Sequence, residues 1–146
     1  MRLHLEEMAH RAEREMARRL RATNAAKMFG FSLEAAEPGR AVLKMRVRPR
    51  HIQIHGVVHG GILAALADTV GALGIYLQVP RGTRIATIEM KINFLEPVEK
   101  GVLMAEGRVL RKGKNFAVSE CDVRDDHRRL VAKALVTYSI TPGRPG

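Results

Sequence analysis

HGGILAALADTVGALG, residues 59–74, is the stretch on which the fold turns. Its aliphatic residues read as one core helix, yet it carries a carboxylate, Asp68, and four glycines. With the next residues included, Ile62, Leu63, Leu66, Val70, Leu73, Ile75 and Leu77 cover most of the helical circumference, so a helix over 60–77 is buried on nearly all sides. An antiparallel sheet curling around it, with a second copy of the chain covering the remainder, is the simplest way to bury it. Gly71 and Gly74 each cost ~1 kcal/mol relative to alanine in a helix interior, a cost that close approach of another backbone must offset.

The flanking sequence supplies such a sheet. Segments 84–94, 102–111, 116–124 and 130–140 are rich in β-branched residues and are separated by the turn sequences EPVEKG, RKGKN and RDDHR, which predicts a four-stranded antiparallel meander. Upstream, EPGR divides 32–49 into a hairpin that Pro49 ends, and RHIQIHGVVHGG forms a loop leading into the apolar helix. Nearer the start, Leu5, Met8, Ala9, Ala12, Met16 and Leu20 recur at helical spacing, with Glu7–Arg11 and Glu15–Arg19 as i,i+4 pairs, so 3–21 is an amphipathic helix. The domain reading is an N-terminal helix in 1–24, one α+β domain in 25–141 and a frayed tail in 142–146.

Composition narrows the classes. The chain has 146 residues, no Trp and six Tyr and Phe together, so a single aliphatic core is expected. One cysteine permits no intrachain disulfide, and the start lacks the continuous apolar region of a secretory signal, making a cytoplasmic address the default expectation. Asp68 and Gln78 interrupt the longest apolar run, which argues against a membrane span. The net charge of +10 favours an anionic partner. Nucleic acid is disfavoured, because Arg108, Arg111, Lys112, Lys114, Arg124, Arg128 and Arg129 are not interleaved with aromatic residues for stacking. His51, His55 and His59 recur every four residues, but Gly56 and two valines oppose a helix there and no Cys or acid completes a ligand set, so no metal is expected.

HGVVHGG, the aspartate nine residues after His59, TIEMKINFLEP and GKNFAVSECDV together resemble the PaaI-like branch of hotdog-fold acyl-CoA thioesterases over roughly residues 25–140. The resemblance implies a hotdog fold, hydrolysis of an acyl-CoA thioester without a further cofactor, and a homodimer or homotetramer with sites across the dimer interface. It also assigns Gln53 to the thioester carbonyl or the attacking water, His59 to the helix start or the thioester, and Thr87 to orienting the water. Relatives carrying aspartate commonly have Asn where this chain has Gln53, so the chain is mixed in type.

The residues carry a parallel reading of their own. Gly60 and Gly61 open the helix, where the first N–H groups lack intrahelical partners and the dipole is positive, the setting an oxyanion requires. Asp68 among Leu, Ala and Val is either a structural acid or the group that attacks the carbonyl or activates water. Eight residues at ~1.5 Å rise place it roughly 12 Å from Gly60, too far for both to serve one carbonyl, so the acid and the donors should come from different subunits. Lys112 and Lys114, flanking Gly113 in a turn, are candidates for the CoA phosphates. Two further readings remain beside this one: a non-catalytic acyl-CoA-binding module, disfavoured by the retained Asp68, and a dehydratase, whose catalytic-histidine setting HGGILAALAD does not resemble. The acyl group itself, whether aryl or medium-chain, is left open.

Overall fold

The computed structural model describes residues 1–144. Helix α1 (Arg2–Ala22) is followed by a short helix α2 (Asn24–Phe29), which ends where Gly30 adopts the left-handed conformation at φ 78°. Strands β1 (Phe31–Glu37) and β2 (Arg40–Arg46) form the expected hairpin around Gly39. A 3₁₀ turn at Pro49–His51 leads through a loop into α3 (Gly60–Tyr76), and β3 (Arg84–Phe94), β4 (Val102–Lys112), β5 (Phe116–Arg124) and β6 (Leu130–Thr141) follow.

All six strands form one antiparallel sheet in the order β1-β2-β4-β5-β6-β3, curled around α3. This corrects the four-stranded meander. Of the four strands after α3, only β4, β5 and β6 pair in consecutive order, while β3 pairs with β6 and β2 occupies the β4 edge where β3 was expected. EPVEKG is therefore a crossing connection between strands at separate places in the sheet, and the reason lies in the helix. Between β2 and β3 in the chain, α3 packs across β4 and β5 at the middle of the sheet, and the strands that precede and follow it lie on either side of that pair.

Leu66, Ala67, Val70 and Ile75 are fully buried against the sheet, each larger one stabilising the fold by about 1.5–3 kcal/mol. The remaining arc of α3, which carries Ile62, Ala65, Asp68, Thr69, Ala72 and Tyr76, is only partly covered within one chain. Close approach explains both interior glycines. A Cβ on Gly74 would stand 2.8 Å from the Arg40 nitrogen, and Gly74 O accepts the Gly39 N–H at 3.0 Å. At Gly71 a Cβ would meet the Tyr138 hydroxyl and lie 2.9 Å from Cys121 Sγ. Opposite it, Gly107 on β4 is equally bare, and a Cβ there would be 3.0 Å from Gly71 Cα.

Met16 and Leu20 dock α1 into the same core, whereas residues 1–10 are wholly exposed, including Leu3, Leu5 and Met8. Of the two anticipated pairs on α1, Glu15–Arg19 forms at 2.9 Å; Glu6 pairs with Arg2. Within the predicted tail, 142–144 form no regular structure and 145–146 lie outside the described residues. Among the described residues no helix is long and apolar enough to cross a membrane.

Candidate active site

Asp68 lies on the partly open arc of α3, half-buried, and its carboxylate is held from β3: Thr87 Oγ1 donates to Asp68 Oδ1 at 2.7 Å. Thr87 reaches it because β3 is irregular. In strict alternation Met90 and Ile92, which pack toward the core, would set the even positions inward and turn Thr87 outward. A bulge between Thr87 and Glu89 reverses that parity, so Thr87, opposite Tyr138, faces the helix. Tyr138, 1% exposed, supports the same turn of α3 by donating its hydroxyl to Asp68 O at 2.7 Å. Burial raises the Tyr138 phenol above its ordinary range, so it acts as a fixed donor. Tyr138 was not singled out in the sequence, where it reads as one more β-former. The only signal for it was Gly71, whose missing side chain makes room for the ring.

The helix start is built separately. His51 is almost fully buried; its Nδ1 accepts the Arg48 N–H at 2.9 Å, its Nε2 lies 2.7 Å from Phe29 O, and its carbonyl accepts the His59 N–H at 2.8 Å. It braces the loop, and among the described residues no metal-binding group of His, Cys, Asp and Glu exists. Gln53 tightens the same loop: its backbone pairs with Val57 and Gly56, and its side-chain oxygen accepts the His55 N–H. His59 is the helix N-cap, with Nδ1 accepting the Gly61 N–H at 2.8 Å. The Gly60 N–H has no partner among the described residues. Gly60 is tight against Phe94, since a Cβ would stand 3.2 Å from the ring. Gln53, Gly60 and Phe94 line one open cavity of about 310 Å³.

The structure thus brings Asp68 together with Thr87, and Gln53 together with His59, Gly60 and Gly61; it keeps the two groups apart along α3. Cys121 is no competing nucleophile: burial, then the nearby Asp68, push its thiol up to about 12. Several cations of the basic cluster are already paired. Arg108 binds Asp122 at 3.1 Å together with Glu106 and Glu120, Arg124 reaches Asp122, and Arg129 holds Asp125 at 2.7 Å. Burial raises the Asp122 carboxyl, but hydrogen bonds from Lys133 and Arg108 outweigh it and the net shift is downward. Lys112 and Lys114 have no carboxylate partner among the described residues, and with Arg81 and Arg144 they surround a cavity of about 530 Å³.

Comparison with known proteins agrees with this architecture. A family model described as the thioesterase superfamily matches residues 55–132. A candidate esterase of Saccharolobus solfataricus is 40% identical over 104 residues, 71% of this chain and 74% of that protein. Human acyl-coenzyme A thioesterase 13 is 29% identical over 105 residues, 70% and 74% of the two chains. The solved structure of the Escherichia coli PaaI protein from the phenylacetic acid degradation operon superposes with a TM-score of 0.84 at 26% identity, covering 92% of this chain and 96% of that one. The chain belongs to the thioesterase superfamily, with the hotdog fold of its PaaI-like branch. It is a thioester hydrolase.

Proposed function

We propose that the protein hydrolyses the thioester of an aryl- or medium-chain acyl-CoA to the free acid and CoA, in sites shared between two chains. The observation that carries this reading is the Asp68 carboxylate, held by Thr87 on an incompletely covered face of α3. The open helix start is roughly 12 Å further along. A second chain docked against the exposed β3 edge, antiparallel to the first, supplies its own Gly60 and Gly61 to the Asp68 of its neighbour.

In that arrangement the thioester carbonyl lies by the partner's helix start. The Gly60 N–H is the open donor, and Gly61 adds a second when the His59 imidazole turns from its cap toward the thioester. Asp68 acts as nucleophile, forming an anhydride that water then cleaves, or as base, taking a proton from a water that attacks directly. In both routes the carbon–sulfur bond breaks, the electron pair leaves with CoA thiolate, and water supplies the oxygen of the acid and the proton of the thiol. Thr87 and Gln53 position the carboxylate, water or carbonyl. Lys112 and Lys114, with Arg144 and with Arg81, whose guanidinium also lies 3.8 Å from Glu15, provide cations for the CoA phosphates.

Thiol release from a series of aromatic and aliphatic acyl-CoAs tests the proposal. Asp68→Asn should retain the wild-type circular dichroism and oligomeric mass while losing about 10³-fold in kcat. Near wild-type turnover in that variant would remove Asp68 from the chemistry.

A further inference from the structure

Between α1 and α3 the chain encloses an apolar cleft of about 360 Å³, lined by Met16 and Leu20 from α1 and by Thr69, Ala72, Leu73 and Tyr76 from α3. Its walls include core residues: Met16, Leu20 and Leu73 are 2%, 5% and 6% exposed. Of the polar side chains around it, Thr69, Thr23 and Arg19 are engaged, whereas the Tyr76 hydroxyl makes no hydrogen bond among the described residues. Thr69 donates to Ala65 O at 2.7 Å, Thr23 to Arg19 O at 3.0 Å, and Arg19 is held by Glu15 at 2.9 Å.

Its position relates it to the reaction. Thr69 follows Asp68 directly and Ala72 is one helical turn beyond, about 6 Å along the axis. The cleft therefore opens along the same exposed arc of α3 that presents the carboxylate. A volume of this size and an apolar, concave lining are those of a small-molecule site. A protein surface would instead need roughly 800 Å² on each partner.

We infer that this cleft receives the acyl chain of the substrate, and that α1 thereby sets how long a chain the enzyme accepts. The inference rests on the thioesterase reading above. With the thioester at Asp68, an unbranched chain passes over Ala72 and runs beside Leu73 toward Tyr76, with Leu20 and Met16 as the opposite wall. Between Ala72 and Leu73 on one wall and Leu20 and Met16 on the other no polar side chain is offered to a substituent, so an apolar medium-length aliphatic chain fits this stretch, with the Tyr76 hydroxyl standing where the chain ends. Such a pocket discriminates chiefly by volume. Each methylene held in the cleft is worth about fourfold in kcat/KM.

The test compares wild type, Thr69→Phe and Met16→Ala on butanoyl-, octanoyl- and dodecanoyl-CoA. Thr69→Phe narrows the cleft and should lower the dodecanoyl-to-butanoyl ratio of kcat/KM at least tenfold by the same methylene scale. Met16→Ala widens it and should raise the ratio. A ratio unchanged within twofold in either variant, with wild-type helicity and mass, overturns the inference while leaving the thioesterase reading intact. An altered oligomeric mass with an unchanged ratio overturns it in favour of a second copy covering the cleft. If wild type hydrolyses none of the three substrates nor any aromatic acyl-CoA, the thioesterase reading fails and the cleft assignment falls with it.

Discussion

Gly71→Ala places two physical rules in opposition. Helix propensity alone favours the change by about 1 kcal/mol. The added methyl, however, would overlap the Tyr138 hydroxyl and stand 2.9 Å from Cys121 Sγ, with both residues essentially without solvent exposure. Overpacking of this kind costs roughly 1–3 kcal/mol. If Tyr138 is displaced, its hydroxyl also loses Asp68 O, leaving a buried polar group unpaired at a further ~1–3 kcal/mol. The balance is a net loss of about 1–5 kcal/mol. Urea denaturation followed by circular dichroism at fixed protein concentration measures it, with Tyr138→Phe and the double variant completing a cycle. Because Tyr138→Phe removes the clashing oxygen, the double variant should be more stable than the sum of the two single changes predicts, by on the order of 1 kcal/mol. A Gly71→Ala protein as stable as wild type, or strict additivity in the cycle, would refute the packing argument.

Three other outcomes are expected. Thr87→Val removes the hydrogen bond to the Asp68 carboxylate and should lower kcat about 10–100-fold with little change in KM, read by steady-state thiol release. Charge reversal of Lys112 and Lys114 should raise KM for acyl-CoA and weaken its salt dependence. It should leave turnover of a truncated thioester lacking the nucleotide nearly unchanged. The Glu15 carboxyl is lowered from 4.5 to about 2 by hydrogen bonds from Arg18 and then Arg19. A depressed folded-state value contributes stability above the unfolded value that disappears as the proton returns, so α1 should loosen as pH falls from about 4.5 toward 2. Proteolysis within α1 across that range, compared with Glu15→Gln, reads the effect.

Local pattern was the part of the fold written most plainly in the sequence. The boundaries of β3 and β5 and the start of α3 follow from β-branched runs, turn residues and the glycine pair that opens the helix, all short-range features. Strand order was not legible, because β3 and β4 have the same local character whether they pair with each other or are parted by β5 and β6. Helix α2 was missed because NAAKMF is too short for a periodic signal. At the site, Asp68 and the glycine pair stood out as residues that local rules disfavour. Thr87 facing Asp68 depends on a one-residue bulge, and the His59 cap on Gly61 depends on a side-chain rotamer; neither leaves a compositional trace.

The edge position of β3 also orders events during synthesis. Its one strand neighbour within the chain is β6, so Arg84 must wait for Thr141, and Phe94 for Ala132, before either pairs. On a ribosome adding about 5–20 residues per second, β3 leaves the tunnel seconds before its partner exists. During that interval Ile88 and Phe94 sit on a strand with two open sides, the kind of segment that joins the wrong chain. Thr87 is brought to Asp68 on that strand, so the reactive face of the enzyme is finished at the same moment that its most association-prone segment is secured.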